Sequence, residues 1–195
     1  LRSIIGYQNK SIDSVLDVGG IITTGGTLSN TIALLLAREN KFPNTMTRGT
    51  NNLPDSYIVV PKGISHYSIK NGQMWIGLGS KILEVETKNF RYDLEKLEET
   101  LKVNKGKVLA LVAYAGDSRT MTIDYFDKIA NLAHVEDPSI WLHADACHGF
   151  SLAFSKKLKH KLRGIEEFDS ISLDPHKVFL IPYAAGALLI KDPSK

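Results

Sequence analysis

The 195-residue sequence has little cysteine, no long apolar run and almost no excess of charge. Its one cysteine, Cys147, excludes an intrachain disulfide framework and suits a reducing compartment. The longest apolar runs, Ile32 to Ala37 and Val108 to Ala113, are far too short to span a bilayer. No signal peptide opens the chain, and Leu1 in place of Met is compatible with either an artificial start or a processing boundary. These features together point to a cytoplasmic protein. Lys and Arg number 24 against 21 Asp and Glu, so a net charge of +3 demands neither nucleic acid nor a membrane surface as partner. Repeats, low-complexity tracts and Pro/Gly/Ser linkers are also missing. With 43% hydrophobic and 23% charged residues, the composition is that of a globular domain. Its length suffices to bury a core without disulfides or metals.

What is present is an alternation of short apolar runs with helix-like stretches. The runs are Gly20 to Thr23, Tyr57 to Val60, Ile82 to Val85, Val108 to Tyr114, Ile140 to Ala144, Ser170 to Leu173 and Ala187 to Ile190. Several are continuously apolar, as strands covered on both faces must be. Helices are expected at Thr27 to Arg38, which is apolar on nearly every side, and at His66 to Trp75. Two more are expected after an Asp93 cap, with Leu94, Leu97 and Leu101 on one stripe, and from Asp124 onward. The expected fold is α/β: a mostly parallel sheet of about seven strands flanked by helices, its last strand antiparallel.

In such a sheet ligands bind outside the carboxyl ends of the strands. Five runs deliver chemistry there: TTGGTLSN up to Asn30, PKGISHYS with His66, AGDS with Ser118, then Asp145, Cys147 and His148, and finally DPHK up to Lys177. Gly25 and Gly26 before a helix would expose backbone N–H groups to an anion, and Thr27 adds a hydroxyl. The same pattern also reads as a glycine turn capping a buried helix. Asp145 could face a cationic nitrogen or serve as a cap. His143, Asp145 and His148 spell H-x-D-x-x-H, a pattern that metal sites also use. Lys177 in apolar company could have a lowered pKa and act as a nucleophile toward an aldehyde, or could simply snorkel from the sheet edge.

The ordered set GGTLSN, SHYSIK, AGDS, WLHADACHG and DSISLDPHKVF resembles the group II pyridoxal-5′-phosphate-dependent amino acid decarboxylases, among them the glutamate, aromatic, histidine and 2,4-diaminobutyrate enzymes. The resemblance runs from about Gly20 to Asp192 and implies the large domain of a fold type I pyridoxal-phosphate enzyme. It implies that Lys177 holds the cofactor as a Schiff base and that Asp145 partners the pyridinium nitrogen. His66 would stack on the ring. Gly26, Thr27 and His176 would hold the phosphate, Ser118 would bond the cofactor or a carboxylate, and Cys147 would lie near the ring. The implied reaction is decarboxylation of an amino acid to its amine and CO2. The motif wording favours a small substrate such as glutamate or 2,4-diaminobutyrate over an aromatic one.

The resemblance further implies a homodimer. Residues 1–195 would be only the cofactor-binding large domain, without an N-terminal segment, a small domain and the loop after the lysine, so that the piece alone would be inactive. Two departures stand out. Asp117 adds a negative charge expected to affect substrate choice, and Asp174 would repel phosphate unless protonated or turned away. Rival readings are another fold type I pyridoxal-phosphate enzyme (lyase, desulfurase or aminotransferase), a silent dimerisation domain, and a metal hydrolase on His143 and His148. The basic run Ser155 to Arg163, with Leu158 and Leu162 four apart, reads as one solvated helix face. The Asn9-Lys10-Ser11 sequon would matter only in a secreted protein.

Overall fold

Each short apolar run becomes a strand because helices on both sides can cover it. The computed structural model describes residues 1–7 and 17–194, so the Asn9 sequon lies outside the described residues. The strands and helices, in chain order, are β1 (Gly20–Thr23), α1 (Gly26–Lys41), α2 (Thr45–Arg48), β2 (Tyr57–Pro61), α3 (Tyr67–Trp75), β3 (Ile82–Val85), β4 (Thr87–Lys88), β5 (Arg91–Tyr92), α4 (Leu94–Val103), β6 (Val108–Tyr114), α5 (Phe126–Glu136), β7 (Trp141–Asp145), β8 (Ser170–Leu173), α6 (Pro175–Val178) and β9 (Gly186–Ile190). Seven strands form one sheet in the order β1-β9-β8-β7-β6-β2-β3. Pairs within β3-β2-β6-β7-β8 are parallel, whereas β9 runs antiparallel to both β8 and β1. All seven expected runs are strands, and the last has the expected direction.

The sheet separates two cores. On one face Leu34 and Ala37 of α1 and Ile69 of α3 pack against Ile58, Val60 and Val112. On the other, Leu97 and Leu101 of α4 and Phe126, Ile129 and Ala133 of α5 meet Val59, Leu111 and Ala113. β6 is buried throughout because it lies between these layers. Its register shifts: Tyr57 pairs with Val108 but Ile58 with Ala110, so Leu109 is an extra, bulged residue. Asp93 caps α4 as expected, accepting the Glu95 N–H at 3.2 Å.

Three local expectations need correction. α1 buries one face, from Ser29 through Ala37, and leaves Leu28 40% exposed. Its Arg38 is buried, with Nε donating to Thr45 Oγ1 at 2.8 Å and Nη1 to the Ile76 carbonyl, so it ties segments together as well as meeting the helix dipole. Ser155 to Arg163 is no α-helix. Only a 3₁₀ turn, Lys159–Leu162, forms there, with Leu162 turned inward. The β4–β5 hairpin was too short to show a strand period.

The third correction concerns Asp124, two residues ahead of α5. Its carboxylate points back into the sheet, accepting the Tyr114 N–H at 2.8 Å and the Tyr92 N–H at 3.4 Å. Burial outweighs those bonds and pushes its pKa up to about 7. An unfolded aspartate ionises near pH ~4, so between roughly pH 4 and 7 the folded chain holds a proton that the unfolded chain has lost. Stability therefore falls as pH rises through that window and levels off above it. Thermal melts of wild type and Asp124→Asn across pH 4 to 8 check this: relative to the variant, the wild type should lose Tm as pH rises from about 4 to about 7 and hold level above that.

Candidate active site

Along the carboxyl edge of the sheet, the ends of β1, β2, β6, β7 and β8 enclose a cavity of about 260 Å³. The direction of chain progression reverses between β2 and β6, which leaves a crevice at that edge. Every segment singled out in the sequence reaches this cavity, including Gly26, Thr27, His66, Ser118, Asp145, Cys147, His176 and Lys177. Their convergence follows from strand direction, since each residue lies just past the end of a strand sharing that edge.

The first wall is the start of α1. Gly25 is the N-cap, with φ 150°, a conformation glycine tolerates and L side chains avoid. Gly26 follows in very close quarters: a Cβ there would lie 2.4 Å from Cys147 Sγ and 2.8 Å from Asp174 Oδ2. The absence of side chains leaves a cradle where helix N–H groups and the positive end of the dipole are open to an anion. His176 stands beside it, its Cε1 3.5 Å from where a Gly25 Cβ would be, and its Nδ1 accepts the Ala185 N–H at 3.1 Å.

Lys177 lies on the short helix α6, not at the end of a strand as its apolar neighbours suggested. Those neighbours do not bury it: Leu180 is 90% exposed. Of the two readings left open, the lowered pKa is not found. Burial opposes the charge, but the carboxylates of Asp174 and Asp145 outweigh it and hold the amine above its ordinary value. Asp174 is in direct contact, Oδ2 to Nζ at 2.8 Å, and His176 Nε2 is 3.8 Å from the same oxygen. Asp174 is thus neither exposed nor turned away. It is buried at the rim of the glycine cradle, and its Oδ1 is one of the few buried polar atoms with no hydrogen-bond partner among the described residues.

Asp145 ends β7, buried, with Oδ2 accepting from Asn30 Nδ2 at 2.9 Å and Oδ1 from the Cys147 N–H at 3.2 Å. Burial would raise its pKa, but the bonds from Asn30 and Cys147 and the proximity of His143 keep it below the ordinary value, so it is an anion. Cys147 packs its thiol into the cavity wall, 3.7 Å from Ser172 Oγ, and burial together with Asp145 and Asp174 pushes its pKa well up. It is a neutral thiol.

His66 caps α3 by accepting the Ser68 N–H at 3.2 Å, and its own N–H donates to Tyr114 Oη at 3.0 Å. Ser118 is exposed at the mouth of the cavity. The neighbouring Asp117 does not present its charge to a ligand as expected. Its carboxylate turns into its own loop, accepting N–H groups of Arg119 at 2.9 Å, Thr120 at 3.0 Å and Thr122 at 3.2 Å. The H-x-D-x-x-H pattern also resolves differently. His143 is fully buried with both ring nitrogens hydrogen-bonded, to Ser170 Oγ at 2.8 Å and Asn30 Oδ1 at 2.9 Å. Among the described residues no group of three His, Cys, Asp or Glu side chains could hold a metal ion.

Asn30, Ser68, Tyr114 and Ser170 were not assigned roles in the sequence. The available signal was the polar pair His143 and Ser170 inside otherwise apolar strands, which must find partners when buried.

The fold and the cavity define a class, the large α/β domain of fold type I pyridoxal-phosphate enzymes. The chain belongs to the pyridoxal-dependent decarboxylase family, whose conserved-domain model matches residues 1–195. It is 32% identical over 179 residues to a glutamate decarboxylase-like protein of Gibberella zeae, covering 89% of this chain and 34% of that protein. It is 30% identical over 197 residues to human cysteine sulfinic acid decarboxylase, covering 100% of this chain and 38% of the relative. The crystal structure of mouse CSAD superposes with a TM-score of 0.88 at 28% identity, covering all of this chain and 40% of that one. The chain therefore spans little more than a third of the length of the relatives it matches. No helix among the described residues is long and apolar enough to cross a membrane.

Proposed function

We propose that the protein carrying this chain decarboxylates a small amino acid, with pyridoxal 5′-phosphate held in the cavity at the carboxyl edge of the sheet. The observation that carries this reading is the convergence of Lys177, ionised Asp145 and the side-chain-free cradle at Gly25 and Gly26 on one cavity. The residues fit the group. Gly26, Thr27 and His176 would hold its phosphate, Lys177 its aldehyde carbon, Asp145 its ring nitrogen, and His66 and Cys147 the faces of its ring. When bound, pyridoxal phosphate supplies an electron sink for the pair left behind by a departing carboxylate.

The chain's own residues prepare that chemistry. Asp145, kept anionic by Asn30, can hold a proton on a nitrogen facing it. Asp174 holds the Lys177 amine at the cradle and can take up its proton when the amine acts as a nucleophile, since Nζ and Oδ2 are 2.8 Å apart. Ser118, at the mouth, would donate to the cofactor or to a substrate carboxylate.

The similarity to a glutamate decarboxylase-like protein and to cysteine sulfinic acid decarboxylase favours a small acidic substrate over an aromatic one. We also propose that residues 1–195 form the cofactor-binding large domain, and that the full-length protein is a homodimer. Exposed Leu180 and Tyr183, 90% and 86% accessible, support a covering surface beside the cavity. A CO2-release screen over amino acids, run on the full-length protein with added cofactor, tests the reading. Release from glutamate or cysteine sulfinate is expected. No release from any amino acid would overturn it.

A further inference from the structure

A buried chain of hydrogen bonds joins the carboxylate at the floor of the cavity to the imidazole on its wall. It runs through Asn30, which lies on α1 and is 1% exposed. Asn30 Nδ2 lies 2.9 Å from Asp145 Oδ2 and 2.9 Å from Ser68 Oγ. Asn30 Oδ1 lies 2.9 Å from His143 Nε2. His143 Nδ1 lies 2.8 Å from Ser170 Oγ, which in turn lies 2.8 Å from Trp141 Nε1. At the other end Ser68 Oγ lies 2.8 Å from His66 Nδ1, and the Ser68 N–H also points at that nitrogen from 3.2 Å.

Donor and acceptor chemistry fixes the direction of every link. An ionised carboxylate only accepts and an indole N–H only donates. Asp145 therefore forces the Asn30 amide to present its NH2 side, and Oδ1 must accept from His143 Nε2. His143 is fully buried and neutral, its pKa lowered to about 4 by burial, so its Nδ1 has no proton and accepts from the Ser170 hydroxyl. The Ser170 oxygen accepts from Trp141. The second hydrogen of Asn30 Nδ2 goes to Ser68 Oγ, which frees the Ser68 hydroxyl to donate to His66 Nδ1. That nitrogen then receives two donors, and the proton of neutral His66 must sit on Nε2.

We infer that Asn30 is a positioning residue that couples Asp145 to His66. The charge on Asp145 orients the Asn30 amide and, through Ser68, locks His66 as the neutral Nε2–H tautomer. His66 then offers the cavity an N–H donor from a ring of fixed orientation, not a basic nitrogen. An imidazolium would have to place a proton on Nδ1, against both Ser68 donors, so the lock works in the same direction as burial, which lowers the His66 pKa. The other charged groups facing the ring are Asp145, Lys177, Arg119 and Asp174, whose effects oppose one another in sign. This inference deepens the proposed function of the cavity but concerns only the chain's own residues.

The test follows hydrogen exchange at the imidazole C2 position of His66 by mass spectrometry across pH, on full-length protein without cofactor. The exchange midpoint gives the His66 pKa, so its outcome does not depend on whether decarboxylation occurs. The wild type should titrate below the ordinary imidazole value. Asn30→Asp removes the donor and adds a charge, and should raise the midpoint by on the order of one pH unit. Ser68→Ala leaves the backbone donor and should give a smaller rise, whereas Ser68→Thr, which keeps the hydroxyl, should restore the wild-type value. A residue that merely fills space would not produce this order. An unshifted wild-type midpoint, or equal midpoints in wild type and Ser68→Ala, would overturn the coupling. The Ser68 pair decides the question if Asn30→Asp does not fold.

Discussion

Lys177→Ala should abolish the visible absorbance band that forms when the full-length protein is supplied with pyridoxal 5′-phosphate. CO2 release should fall by roughly a thousandfold or more, the scale of losing a positioned group that moves protons. Among the described residues lining the cavity, the amine is the one primary amine, the group that condenses with an aldehyde to a Schiff base. Cys147 is a neutral thiol whose pKa burial raises, and His143 and His66 have both Nδ1 atoms engaged. The alanine variant also takes the amine from Asp174, a carboxylate only 3% exposed that keeps His176 at 3.8 Å, and breaking a buried pair costs at most about 3–5 kcal/mol. Lys177→Arg separates the two effects, because the guanidinium keeps the ion pair but cannot condense with an aldehyde. It should melt close to wild type and still show no band. A band in either variant would remove Lys177 from its assigned role.

Gly149→Ala should destabilise the protein by about 3 kcal/mol, the upper range for forcing an extra methyl into a packed interior. For a chain of this length that is a drop of roughly 10 °C in Tm. The position is not a flexible turn. A Cβ on Gly149 would lie 2.3 Å from the Ala115 carbonyl oxygen and 2.8 Å from its carbon, with both contacts to backbone. Ala115 cannot retreat, because its N–H donates to the Asp145 carbonyl at 2.9 Å and it bridges to Ile123. The Gly149 N–H donates to the same Ala115 carbonyl at 2.7 Å, so a displaced chain also loses that bond. The strain falls where β6 leaves the sheet toward Ser118, and cofactor affinity should weaken along with stability. Thermal or urea unfolding measures the first effect and titration of the absorbance band the second. A melting temperature unchanged from wild type would show that the two segments do not pack this closely.

The contrast between these positions shows which features a sequence can carry. Lys177 was visible because an aldehyde-reactive amine must be lysine and because its neighbours spell a specific motif. Gly149 was visible only as the end of WLHADACHG, since the carbonyl that forbids a side chain belongs to Ala115, more than thirty positions away. Asp117 and Asp124 look alike in sequence, two carboxylates near the end of β6. One satisfies its own loop and the other is buried against the sheet with a pKa near 7. No local pattern separates them.

The strands were legible because a residue covered on both faces must be apolar, whatever its partners are. The placement of the chemistry was legible too, because parallel strands all end at one edge. The sequence by itself therefore determined the α/β fold, the strand directions, the family and the edge where Lys177, Asp145, His66 and the Gly25–Gly26 turn would meet. Tertiary structure alone decided how those groups are charged and held. From the sequence Lys177 could be a depressed amine or a snorkelling one, and the Asp174 carboxylate 2.8 Å away makes it a stabilised ammonium. His143 sat in a pattern that a rival reading took for metal ligands, and its bonds to Ser170 and Asn30 make it a buried neutral link. The reason is physical: covering an apolar strand is a property of the strand itself, whereas a protonation state depends on groups within a few ångströms, which only the folded chain brings together.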